Sequence, residues 1–215
     1  MWNGELYNFR ELKQQKNLEQ EAGPFRSRTD TEVVLHLLER SGPASLEEFD
    51  GMFALAAWDS RGQKLLLARD PFGIKPLFLL EHDGCFWFAS EIKALLEVPG
   101  FRPEVDVESL HHYFGLNYIP GARTAFAGIR ELPPGTWLQV DSEARVIDQG
   151  DFCQLAAGDG IARQSVQQAA EKSTGLLRAA VERQLVSDVP VGVMLSGGLA
   201  SLSLIHISEP TRLGM

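Results

Sequence analysis

Cysteine is scarce in this sequence: Cys85 and Cys153 are the only two among 215 residues. Two thiols build neither a disulfide framework nor a four-ligand zinc site, so no metal site and a reduced, cytoplasmic protein are expected. Long apolar runs are missing too. None approaches the ~20 residues that cross a bilayer. No charged-then-apolar segment opens the chain as a secretory signal would. No membrane partner is expected. Basic residues are outnumbered, with 20 Lys and Arg against 29 Asp and Glu and a formal charge of −9. That balance argues against nonspecific nucleic-acid binding. What is present is ordinary: 44% hydrophobic, 23% charged, 20 Gly and 11 Pro. Such a composition excludes a collagen, a coiled coil and a wholly disordered chain. The length suits one large domain, or one domain and part of another.

Both ends read as unusual. Met1-Trp2-Asn3-Gly4 runs a strand-like start directly into Asn-Gly, a turn signal, so a preceding strand is expected to be missing. At the other end LSLIHISEPTR, Leu202 to Arg212, resembles the translated adapter of a DNA sequencing library. Residues 202–215 are therefore expected to be an adapter scar rather than a natural amphipathic tail, and are excluded from fold reasoning.

Local signals set out the elements. Thr29-Asp30-Thr31-Glu32 has capping-box spacing, which predicts a helix over Asp30–Arg40 with Gly42 as its stop. The apolar run Phe53–Trp58 predicts a buried strand, followed by a turn at Asp59–Gly62 and a second strand at Lys64–Ala68. Leu77–Leu80 and Cys85–Ala89 flank His82-Asp83-Gly84 as a hairpin. Cys85, in an apolar strand beside Phe86-Trp87-Phe88, is expected in the core. A short helix is predicted at Glu91–Leu96, and a helix capped by Asp106 carries Leu110, Tyr113 and Phe114. Leu132–Thr136 is a turn before a strand at Trp137–Val140. Ser142–Gly160 is richer in Gly, Ala, Asp and Gln, and ends on Ala156-Ala157-Gly158-Asp159-Gly160, which reads as linker. A long helix follows, its apolar stripe formed by Val166, Ala170, Leu177, Val181 and Leu185. Val191–Leu195 reads as a buried parallel strand.

After that strand comes Ser196-Gly197-Gly198-Leu199-Ala200-Ser201. Glycines let backbone N–H groups approach an anion, and the hydroxyls add donors. The Gly-Lys-Ser/Thr ending of a P-loop is absent, so alone the loop is a weak signal. Its context is stronger. NGELYN (Asn3–Asn8), RTDTE (Arg28–Glu32), ARDPFGIKPLF (Ala68–Phe78), ASEIKAL (Ala89–Leu95), LPPGT (Leu132–Thr136) and VSDVPVGVMLSGG (Val186–Gly198) occur in one order. As an ordered set they resemble the glutamine-hydrolysing asparagine synthetases, from about Trp2 to Ser201.

The resemblance implies an α+β fold: a class II, N-terminal-nucleophile amidotransferase sandwich of two mainly antiparallel sheets between helices. The first strand and loop of an α/β ATP-pyrophosphatase synthetase domain would follow. The implied domains are 1–150 amidotransferase, 151–163 linker and 164–201 start of the synthetase domain. The family's nucleophile is a cysteine at the mature N-terminus, which this sequence does not carry, so the chain is expected to be an inactive fragment. By position, Asn3 and Gly4 resemble the oxyanion hole, and Asn3, Gly4, Glu5 and Asp30 the glutamine site. Leu195, Ser196, Gly197, Gly198 and Ser201 would hold ATP. Magnesium would accompany the nucleotide, although Ala200 stands where the family usually has Asp. Substrates would be glutamine, aspartate and ATP, with a homodimer of the parent left open. Other readings are an amidotransferase of the same family acting on another acceptor in polysaccharide or peptide biosynthesis, or an inert truncated gene product. Arg69, Asp70 and Lys75 are expected to be mostly structural, and Glu91 and Lys93 a solvated or domain-facing pair. His111 and His112, adjacent on a helix, lack the spacing of a metal pair.

Overall fold

The computed structural model of the chain describes residues 1–153, 165–187 and 189–192. The chain falls into two compact units, Met1–Leu155 and Ala156–Met215. Its elements, in order, are β1 (Trp2–Leu6), α1 (Phe9–Gln15), α2 (Leu18–Ala22), α3 (Asp30–Ser41), a 3-10 helix (Gly42–Glu48), β2 (Gly51–Asp59), β3 (Lys64–Arg69), β4 (Phe78–His82), β5 (Cys85–Ala89), α4 (Ile92–Leu96), α5 (Val107–Leu116), β6 (Ile129–Glu131), β7 (Thr136–Asp141), β8 (Val146–Asp151) and α6 (Val166–Gln184).

The first unit holds two antiparallel sheets, ordered β1-β2-β3-β7-β8 and β5-β4-β6. Strand alternation explains how they stack. Phe53, Leu55, Leu66 and Ala68 share one apolar cluster with Leu12 of α1, Leu18 of α2 and Val33, Val34 and Leu37 of α3. Their neighbours Ala54, Ala56 and Leu67 belong to another cluster, with Leu138 and Val140 of β7 and Leu79 of β4. The larger sheet is thus covered on both faces, so β2 reads as an unbroken apolar run rather than an alternating one. Leu80 and Ile129 form a third cluster with Leu95 of α4. The layers are helix, sheet, sheet, helix, the α+β sandwich the resemblance implies.

Several local expectations need correction. Asn3-Gly4 is not a turn: it lies within β1, paired with Ala54 and Phe53. A Cβ on Gly4 would collide with Met52 O and lie 2.6 Å from Phe53 Cα, so the glycine serves close strand approach. Thr29 occupies the N-cap position of α3 but makes no side-chain capping bond. Glu32 does not complete a capping box; its carboxylate accepts from Arg26 N (2.8 Å), Ser27 N (2.6 Å) and Ser27 Oγ (2.6 Å). Those bonds, the Ser27 hydroxyl first, hold the Glu32 carboxyl below its ordinary value. Cys85 is exposed, because it opens β5 opposite His82 at the hairpin end. The Gly- and Asp-containing stretch after Ser142 carries a strand the sequence did not announce, β8, bonded to β7. Phe152 N donates to Gly135 O, and the Phe152 ring stacks 6.1 Å from Phe53. Burial of the β2 run ends at Ala56, and Trp58 is 52% exposed.

Asp106 caps α5 as expected, accepting from Ser109 N at 3.1 Å. Its aromatic face is open, with Phe114 79% exposed. In the second unit α6 opens on a capping box, Gln168 N to Ser165 Oγ and Ser165 N to Gln168 Oε1. Gly175 lies inside α6 without ending it. Val191 and Gly192 are in no strand. Val193–Leu195, the Ser196–Ser201 loop and residues 202–215 lie outside the described residues.

Candidate active site

The site grows from the edge of β1 that no described strand pairs, β1 being the end strand of its sheet. Ala56 N donates to Met1 O at 2.9 Å, and Tyr7 N donates to Asp50 O at 2.8 Å. In an antiparallel ladder the residues bonded to the partner recur every second position. With Asn3 opposite Ala54 and Glu5 opposite Met52, odd-numbered residues bond β2. The N–H groups of Trp2, Gly4 and Leu6 therefore face the free edge.

Asp30 meets that edge. It lies in the first turn of α3, a position that suits a negative charge. Asp30 Oδ2 accepts from Leu6 N at 2.9 Å and from Trp2 Nε1 at 3.2 Å. Asp30 Oδ1 accepts from Thr31 Oγ1 at 3.3 Å. The fold thus brings Asp30 beside Asn3-Gly4-Glu5, 24 residues away through Leu6.

Asn3 and Glu5 have exposed side chains, on the strand face opposite Trp2 and Leu6. Asn3 Nδ2 donates to Ser90 Oγ at 3.2 Å, which ties β1 to the segment between β5 and α4. A carboxamide carries two N–H donors, and the other has no partner among the described residues. Asn8 secures the strand's far end: its Nδ2 donates to Glu48 O at 2.8 Å and its Oδ1 accepts from Asp50 N at 3.1 Å. Burial, with the charges of Glu5 and Asp50 behind it, pushes the Tyr7 phenol up from its ordinary value.

The ARDPFGIKPLF segment supports rather than reacts. Asp70 is 0% exposed and Arg69 6%. Asp70 accepts from Phe53 N, Phe72 N, Ile74 N and Lys75 N at 3.0–3.2 Å. Arg69 donates to Lys75 O, Leu132 O and Gly73 O, and pairs with Glu131 at 2.8 Å. Glu91 and Lys93 form an exposed pair at 2.9 Å. A surface depression of about 720 Å³ touches Arg10, Lys13 and Arg28, but Lys13 is paired with Glu19 at 2.7 Å and it gains no role here.

Trp2, the Leu6 N–H and Ser90 escaped sequence reasoning. An aromatic directly before Asn-Gly is a faint signal, and nothing in local spacing joins it to an acid 28 residues on. Among the described residues no group of three His, Cys, Asp or Glu could hold a metal ion. No described helix is long and apolar enough to cross a membrane.

Residues 1–150 match the glutamine amidotransferase domain profile, and residues 172–211 match that of asparagine synthase. Glutamine-hydrolysing asparagine synthetase 3 of Bacillus subtilis (strain 168) is 35% identical over 210 residues, 97% of this chain and 33% of that protein. Amidase chry2 of Gibberella zeae is 33% identical over 219 residues, 99% of this chain and 31% of that protein. The solved glutamine phosphoribosylpyrophosphate amidotransferase of B. subtilis, complexed with ADP and GMP, is similar at a TM-score of 0.49 and 22% identity, covering 97% of this chain and 43% of that one. The first 150 residues are thus a glutamine amidotransferase domain. The chain belongs to the family of glutamine-hydrolysing asparagine synthetases. It spans about a third of the length of the curated relatives it matches.

Proposed function

We propose that the β1 edge binds L-glutamine for ammonia release, with Asp30 taking the α-ammonium and Asn3, Gly4 and Glu5 lining the side-chain amide. Asn3 Nδ2 and the Gly4 N–H are the oxyanion donors. In a water-poor site one such donor contributes about 3 kcal/mol to the transition state. The observation that carries this reading is the shared edge: Asp30 Oδ2 accepts from Leu6 N, two residues along the strand from Gly4 N–H.

In the whole protein the ammonia passes to a cytoplasmic synthetase reaction that uses ATP, with magnesium, to convert aspartate to asparagine. Leu195, Ser196, Gly197, Gly198 and Ser201 hold the nucleotide there. The asparagine synthase match over residues 172–211 supports that part of the proposal.

These 215 residues alone bind glutamine without turning it over. The family's attacking thiolate belongs to an N-terminal cysteine, whereas Cys85 opens β5 on the surface and Cys153 lies against Gly135. Ammonia release from L-glutamine tests this, with background rates expected. Turnover abolished by Cys85→Ser or Cys153→Ser would overturn the inactivity and name the nucleophile.

A further inference from the structure

Trp2 stands where its ring can act on the charge of Asp30. Its indole stacks on Phe53, with centroids 5.1 Å apart and planes 17° from parallel. Phe53 is itself immobilised: its N–H donates to buried Asp70 at 3.2 Å and its carbonyl accepts from Asp70 N at 2.8 Å. The indole therefore rests on a fixed platform, and its single N–H points at Asp30 Oδ2. That oxygen also accepts from Leu6 N. Two donors on one oxygen hold the carboxylate's orientation more firmly than one, because swinging it would break both charge-assisted bonds. Oδ1 keeps only the 3.3 Å bond from Thr31 Oγ1 among the described residues.

We infer that Trp2 is a positioning residue for recognition of the α-ammonium of an amino-acid ligand: its indole N–H and the Leu6 N–H bind one oxygen of Asp30 and leave the other aimed at the ligand cation. The inference rests on the proposed glutamine site and adds the residue that sets its preference for an ammonium-bearing substrate. A cation held by a freely rotating carboxylate must first order it, which weakens binding. A purely structural Trp2 would affect every ligand of the edge alike. A positioning Trp2 affects only ligands that carry the ammonium.

The test titrates the ¹⁵N-labelled 215-residue chain with L-glutamine and with glutaramate, the same chain without the α-ammonium. Trp2→Phe keeps an aromatic ring on Phe53 and removes the N–H. It is expected to weaken L-glutamine about tenfold, the loss typical of one hydrogen bond to a charged group. Glutaramate binding is expected to stay as in the parent chain. The Trp2 indole N–H resonance is read in the same spectra, and Asp30→Asn is expected to move it even where Trp2→Phe folds poorly. Equal weakening of both ligands, unchanged L-glutamine affinity in Trp2→Phe, or an indole resonance indifferent to Asp30→Asn would overturn the inference while leaving the glutamine site standing. Absence of any saturable L-glutamine shift in the parent chain would overturn the site reading, and the inference with it.

Discussion

At the Arg69–Asp70 corner the ionised groups are consumed by the fold, and at the β1 edge they are not. Asp70 has no exposed surface and accepts four backbone N–H bonds, while Arg69 spends its guanidinium on three carbonyls and Glu131. Asp30 spends one oxygen on Leu6 and Trp2, and the other accepts only the longer bond from Thr31 Oγ1 among the described residues. Both aspartates lie in motifs that resemble one family, and both carry the same chemistry. What separates the supporting Asp70 from Asp30, proposed for recognition, is how many acceptor positions the surrounding backbone has already filled. The two regions are also connected, because Asp70 bonds Phe53 and Phe53 carries Trp2.

The comparison breaks most visibly at Asp70. Asp70→Asn presents an amide to a nest of N–H donors and leaves several unpaired, so a loss of about 3 kcal/mol or more is expected. Urea denaturation measures it, and a variant as stable as the parent would show that the corner is not what holds the loop. Gly4→Ala comes next. Its methyl meets Met52 O and Phe53 Cα, so β1 must shift, at a cost of about 2 kcal/mol by the same denaturation. Ligand binding at the edge should fall with it.

Asp30→Asn should leave the midpoint of unfolding within about 1 kcal/mol of the parent, because its partners are at the edge rather than in the core. Its expected effect is on L-glutamine, with saturable binding lost in calorimetry. Strong destabilisation with binding retained would reverse the assignment of the two aspartates. The smallest effect concerns Glu32, whose carboxyl is held below its ordinary value chiefly by Ser27 Oγ and then by Arg26 N–H. A group whose folded value is lowered contributes stability above its unfolded value and loses it as pH falls through the folded one. Glu32→Gln should therefore melt lower than the parent at pH 7, with the two curves converging as pH falls below the ordinary carboxylate range. A gap that widens toward acid would contradict the Ser27–Glu32 clamp.

Much of the fold was legible because its signals are local. The Asp83-Gly84 hairpin, the Asp106 cap and the apolar run of β2 each carry their cause within a few residues. The α1 and α2 helices, β6 and β8 were not anticipated. They are short, and β6 and β8 hold their places by pairing with β4 and β7 rather than by a pattern of their own. At the site the motif residues Asn3, Gly4, Glu5 and Asp30 were named from the sequence. Their partners were not, since Ser90 lies 87 residues from Asn3.

The sequence by itself determined the family, through six motifs in a specified order, and the secondary-structure segments whose periodicity and turn chemistry are self-contained. Tertiary structure alone decided that Asn-Gly sits inside a strand. The same pair of residues turns in isolation, but here a neighbouring backbone approaches too closely for any side chain at Gly4. It also decided how the oxygens of Asp30 are divided. Hydrogen-bond donors 24 and 28 residues distant have no periodicity to announce them. Only when α3 packs across the end of β1 do Trp2 and Leu6 face one carboxylate oxygen and leave its twin with only Thr31 Oγ1 as partner among the described residues.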